Sequence, residues 1–155
     1  KNLANEAEKL GVNPNRLIFA ERKSKKEHLA RLKLADICLD NFYHNGGVTT
    51  LDALNSGIPV VTLKGINHTE RTGSSILSAA GLHSCIKNNK DEYISFCINL
   101  GLQKFELDRL KSNIRDRVRY SPLFNNHLLS KNLENSFKKM YQCWLSDTKP
   151  KFIEV

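Results

Sequence analysis

Apolar positions along the chain switch repeatedly between a helical spacing and short unbroken runs. Residues 2–10 carry them at helical intervals, and Gly11 supplies the stop that ends such a segment. Asn13-Pro14-Asn15 is turn chemistry. Arg16-Leu17-Ile18-Phe19-Ala20 is then a continuous apolar run, the pattern of a strand covered on both faces. Ser24 with Glu27 three places on predicts a capping box and a helix to about Leu34. Asp36 to Asp40 predicts the next strand, followed by a glycine turn and a helix from Val48 to Ser56 that Gly57 stops. Ile58 to Leu63 reads as a strand rich in β-branched residues, with Pro59 at its start, where a missing donor is tolerated. A loop through Gly65 and His68 leads to a helix over Arg71–Ala80, closed by Gly81, and His83–Ile86 predicts one more short strand. Asp91–Leu100, Glu106–Tyr120 and His127–Leu145 read as helices. Ser121-Pro122-Leu123-Phe124-Asn125 is expected to break the last two and pack the tail, and residues 146–155 are expected to fray.

Strands alternating with helices predict an α/β fold, a Rossmann-like doubly wound parallel sheet with C-terminal helices packed on it or against a partner domain. In such sheets ligands sit beyond the carboxyl ends of the strands. A chain of 155 residues holds one domain with a real core, taken as a single unit over 1–155. It shows no internal repeat.

Composition narrows the class. Hydrophobic residues make up 40% and charged residues 26%, the balance of a folded globular protein. No apolar run approaches the roughly 20 residues that span a bilayer, and no signal-peptide pattern opens the chain. A cytoplasmic protein without membrane partners is expected. The start at Lys1 reads as a piece of a longer protein. Cys38, Cys85, Cys97 and Cys143 are far apart, without a Cys-x-x-Cys pair or histidines at zinc spacing, so neither a disulfide framework nor a metal site is expected. The net charge of +8 fits a nucleic acid, a polyanionic small molecule or a solvated surface, and the basic residues are scattered rather than interleaved with aromatics.

The chemistry concentrates between Leu39 and Thr62. A strand that runs through Gly46-Gly47 into a helix N-terminus is a phosphate-binding arrangement. Glycine lets the backbone approach the anion, and the first N–H groups of the helix have no partner inside it. Thr49 and Thr50 add hydroxyl donors. Asp52, expected in the first turn, can accept hydrogen bonds from a sugar diol. These residues predict a site for a nucleotide, and for a nucleotide sugar in particular. Arg71, at the start of the helix after the Val61–Thr62 strand, reads as a further cation for the phosphates. Each has a plainer reading: a tight turn for the glycines, a dipole-favoured acid for Asp52, a solvated basic turn for Lys25, surface residues for His28 and Arg71. His44 and His68 lie in loops nearby without an assigned role.

From Asn13 to Leu82 the order and spacing resemble the C-terminal catalytic lobe of O-linked N-acetylglucosamine transferases and the bacterial soluble enzymes of glycosyltransferase family forty-one. The residues that carry the resemblance are Arg16–Phe19, Lys25-Lys26-Glu27-His28-Leu29, Leu34–Asp40, the glycine–threonine turn, Ala53–Thr62 and Arg71–Leu77. Ser121–Asn125 extends it late in the chain.

The resemblance implies the C-terminal half of a two-lobed GT-B glycosyltransferase that holds a UDP-sugar. It carries nucleotide contacts onto Lys25 and His28, diphosphate contacts onto Gly47, Val48, Thr49 and Thr50, and ribose binding onto Asp52. Where animal members have histidine then threonine, this chain has Gly47 and Val48, so the bacterial pattern is the better parallel. The implied partners are a UDP-sugar, an acceptor protein, and an N-terminal lobe of the same protein, with tetratricopeptide repeats upstream. No cofactor is implied, and the lack of an Asp-x-Asp pair agrees with metal-independent transfer of N-acetylglucosamine or glucose to Ser, Thr or Asn. The isolated chain is expected to be inactive. The alternatives are a non-catalytic nucleotide-binding module and a basic nucleic-acid-binding domain.

Overall fold

The computed structural model describes residues 2–154. Three parallel strands, β1 (Cys38–Leu39), β2 (Val60–Leu63) and β3 (Ile86–Lys87), lie in the order β1-β2-β3, with Cys38 opposite Val60 and Thr62 opposite Ile86. Helices α3 (Val48–Asn55) and α4 (His68–Ala79) make the two crossovers. Helices α1 (Asn2–Lys9) and α2 (Lys25–Leu32) precede the sheet, and α5 (Lys90–Leu102), α6 (Lys104–Arg119) and α7 (Asn126–Leu145) follow it.

The central strand explains the core. β2 has a neighbour on each side and apolar layers on both faces, so it reads as an unbroken Val-Val-Thr-Leu rather than an alternation. Val60 joins Ala53, Leu54, Leu77, Ile114 and Val118 of α3, α4 and α6 on one face. Val61 meets Tyr93 and Leu100 of α5 on the other. Leu54, Leu77 and Ile114 are fully buried, each contributing about 1.5–3 kcal/mol of apolar burial. The helix stops expected at Gly11, Gly57 and Gly81 all carry positive φ. Arg115 and Arg117 of α6 donate to the carbonyls of Ser56 and Gly81. Part of the basic surplus therefore caps helix ends rather than facing a ligand.

Several expectations are corrected. Residues 16–20 are no strand: Pro14–Arg16 is a 3-10 turn, Ile18 is 88% exposed and Phe19 67%. A strand needs a neighbour to complete its hydrogen bonds, and the three-stranded sheet gives this run none. His68 is not in a loop but opens α4, because Asn67 and Glu70 form a capping box there. His83–Cys85 is a 3-10 turn, so β3 begins only at Ile86. Asp52 lies one turn deeper than expected, since α3 starts at Val48 and has no acid in its first turn. The break at Pro122–Phe124 packs against α4 and α6 rather than against the tail. Residues 149–154 form no helix or strand, although Lys139 donates to the Glu154 carbonyl.

Candidate anion-binding site

The turn between β1 and α3 is built by hydrogen bonds from the inside. Gly46 donates its N–H to Asp40 Oδ1 at 2.7 Å, and its carbonyl accepts the Thr50 hydroxyl at 2.9 Å. A side chain could not be added here, because a Cβ on Gly46 would lie 2.5 Å from Thr49 Oγ1 and 2.6 Å from Thr50 Oγ1. Thr50 is buried, whereas Thr49 and Val48 are exposed. Gly47 is the N-cap and offers α3 no side-chain cap, and a Cβ on it would meet nothing within 4 Å. The first turn of α3 is thus without a side-chain cap at the positive end of the helix, where an anion is favoured.

The second half of the site comes from α2. Ser24 accepts the Glu27 N–H and Glu27 accepts the Ser24 N–H, which fixes where α2 begins and hence where Lys25 stands. Lys25 forms an ion pair with Asp52 of α3. Asp52 is the sheltered partner, its side chain 14% exposed against 61% for Lys25. His28, one turn along, is half-buried, with its Nδ1 3.3 Å from the guanidinium of Arg31.

So the fold brings Lys25 and Asp52 into contact from elements 27 residues apart, and it joins Gly46, Thr49 and Thr50 in one turn. Arg71 lines an open groove of about 850 Å³ with Lys64, His68, Ser75 and His83, and none of the other expected site residues lines that groove. Among the described residues no three His, Cys, Asp or Glu side chains gather to hold a metal ion. No described helix is long and apolar enough to cross a membrane.

Residues 1–133 match the family description glycosyl transferase family 41. The chain belongs to glycosyl transferase family 41. Among this family 41 chain's relatives, the probable UDP-N-acetylglucosamine–peptide N-acetylglucosaminyltransferase SEC of Arabidopsis thaliana is 36% identical over 146 residues, 94% of this chain and 15% of that protein. The protein of the same description named SPINDLY, from Petunia hybrida, is 32% identical over 87% of this chain and 15% of its own length. A solved mutant O-GlcNAc transferase of Thermobaculum terrenum superposes with a TM-score of 0.83 at 31% identity, covering 90% of this chain and 27% of that one. The family 41 chain thus spans about a seventh of the length of these two plant relatives. Its fold is the Rossmann-like α/β type of a GT-B glycosyltransferase.

Sequence reasoning missed Asp40, Asn45, Thr62 and Gly73, the residues that shape the turn from beneath. The available signal was an acid at the carboxyl end of a strand, six places before the paired glycines. It counts for little without knowing that β2 brings Thr62 alongside.

Proposed function

We propose that this family 41 chain is the donor-nucleotide-binding half of a protein glycosyltransferase. The carrying observation is the uncapped N-terminus of α3 beside the Lys25–Asp52 pair, in a chain of this family. The donor is a UDP-sugar. The names of the plant relatives favour UDP-N-acetylglucosamine over UDP-glucose and a peptide acceptor, and the O-GlcNAc name of the solved neighbour favours a hydroxyl acceptor over Asn. When UDP binds, Asp52 exchanges its lysine for the ribose hydroxyls and Lys25 turns to the phosphates. His28 lies along the nucleotide, and Gly47, Val48, Thr49 and Thr50 surround the diphosphate. Gly46 supplies close approach rather than a donor. Arg71, in the first turn of α4, is the remaining cation assigned to the phosphates.

In the transfer, the acceptor hydroxyl oxygen forms a bond to the anomeric carbon, its proton passes to solvent or to the departing phosphate oxygen, and UDP departs with the electron pair of the broken C–O bond. Charge accumulates on the diphosphate. Amides and hydroxyls already fixed in place stabilise that charge without reorganising, and Lys25 adds a full positive charge, so the step proceeds without a metal or cofactor. The acceptor site belongs to an upstream lobe of the same cytoplasmic protein, with tetratricopeptide repeats beyond it.

Calorimetric titration of UDP into the chain and into Asp52→Ala, at two salt concentrations, tests this. The nucleotide reading expects modest salt dependence and loss of binding in the variant. Binding of nucleic acid with a steep salt slope, indifferent to Asp52, would replace it.

A further inference from the structure

Asp40 is a carboxylate that none of the roles above uses. It is 8% exposed. Burying a charge is costly unless hydrogen bonds surround it, and here they converge from three segments. Oδ1 accepts the N–H groups of Asn41 at 2.9 Å and Gly46 at 2.7 Å, and Oδ2 accepts the Thr62 hydroxyl at 2.7 Å. Its main chain is held as well: the N–H donates to Val61 at 3.0 Å, and its carbonyl accepts the Tyr93 hydroxyl at 3.3 Å. No cation is paired with it among the described residues. The charge is balanced by donors, and one of them is the amide of the turn itself.

Asn45, 3% exposed, locks the same turn to α4. Its side chain donates to the Asn41 carbonyl at 2.6 Å and accepts the Gly73 N–H at 3.2 Å, while its own N–H donates to the Thr69 carbonyl at 2.9 Å. Gly73 is glycine because α4 passes directly over this cluster: a Cβ there would lie 2.3 Å from Asp40 Oδ2 and 2.6 Å from Thr62 Oγ1.

We infer that Asp40 is a positioning residue for the donor diphosphate. Its carboxylate fixes the Gly46 amide inward, so that the Gly46–Gly47 turn leads into α3 in one conformation and presents the α3 amides to the phosphates already oriented. This rests on the nucleotide reading above and deepens it. Charge-assisted bonds from main-chain N–H groups are the strong kind, so the turn is held more firmly than a neutral side chain would hold it. The role acts on the phosphates and not on the base or ribose, which His28 and Asp52 address from α2 and the second turn of α3.

The test compares UDP and uridine binding, by calorimetry and NMR titration, for the wild-type chain, Asp40→Asn, Asp40→Ala and Gly73→Ala, with circular dichroism to confirm folding. Asp40→Ala is expected to weaken UDP by about ten-fold or more and to leave uridine unchanged, since a hydrogen bond to a charged group is lost. Asp40→Asn keeps an oxygen for the Gly46 amide and falls between Asp40→Ala and wild type. Its Gly46 amide proton moves upfield as the charged acceptor is lost. Gly73→Ala, which crowds Asp40 from the α4 side, shows the same selective loss. A folded Asp40→Ala that binds UDP as wild type does, or that loses UDP and uridine equally, overturns the inference. Should Asp40→Ala fail to fold, Asp40→Asn decides: wild-type UDP affinity with a shifted Gly46 amide overturns it. A wild-type chain that binds no UDP refutes the nucleotide reading itself, a separate result.

Discussion

The two glycines of the turn do different work, although they are adjacent and chemically identical. Gly46 sits against the Thr49 and Thr50 hydroxyls, and Gly47 faces open space. Gly46→Ala is therefore expected to cost about 1–3 kcal/mol through overpacking and to abolish measurable UDP binding, while Gly47→Ala keeps its melting temperature and weakens UDP only, because its methyl group enters the open space beside the diphosphate. Thermal melts paired with UDP titrations separate the two. Lys25→Ala and Thr49→Val are expected to weaken UDP by about three- to ten-fold each with unchanged circular dichroism, because both side chains are exposed and an ion pair made by an exposed lysine adds little to stability. A drop in helicity in either variant would instead give that residue a structural role. At this scale the sequence exposed the turn and its polar side chains. It did not reveal that Asp52 would pair with Lys25, since contact across 27 positions depends on how α2 and α3 pack.

Helix starts were the most legible elements, because a cap is local chemistry. The box at Ser24–Glu27 could be read directly, and the one at Asn67–Glu70 was equally present in the sequence but overlooked. Both acids are held below their usual value of 4.5. For Glu27 the Ser24 hydroxyl leads and its backbone N–H follows; for Glu70 the backbone N–H groups of Asn67 and Ile66 lead. A carboxylate whose folded pKa is depressed stabilises the fold above its unfolded pKa, and that contribution is lost as the pH falls through the folded value. Melting temperature is thus expected to drop as pH falls below 4.5, and Glu27→Gln with Glu70→Gln to flatten that decline. Strands were less legible. The apolar run at Leu17–Phe19 has strand composition, yet composition supplies no neighbour to pair with.

For the molecule as a whole, the core gathers α3, α4, α5 and α6 around β2, and α7 takes no part in it. None of the 20 residues of α7 is buried. A chain ending at Asn125 is expected to keep its melting temperature and its UDP affinity. In contrast, Ile114→Ala in α6, fully buried against the sheet layer, is expected to cost about 2–5 kcal/mol. On the proposed reading, with the acceptor site in an upstream lobe, the chain alone is expected to transfer no sugar from a UDP-sugar to a peptide. The order of the helices, the strands β1 and β2, the three glycine stops and the Gly-Gly-x-Thr-Thr turn could be read from sequence, because each depends on residues within one turn or one strand. Tertiary structure decided what distant segments do together: Lys25 against Asp52, Arg71 in a groove with Lys64 and His83, and Asp40 under the turn. Those depend on which surfaces the helices bury, and burial is a property of the assembled layers rather than of any local stretch of chain.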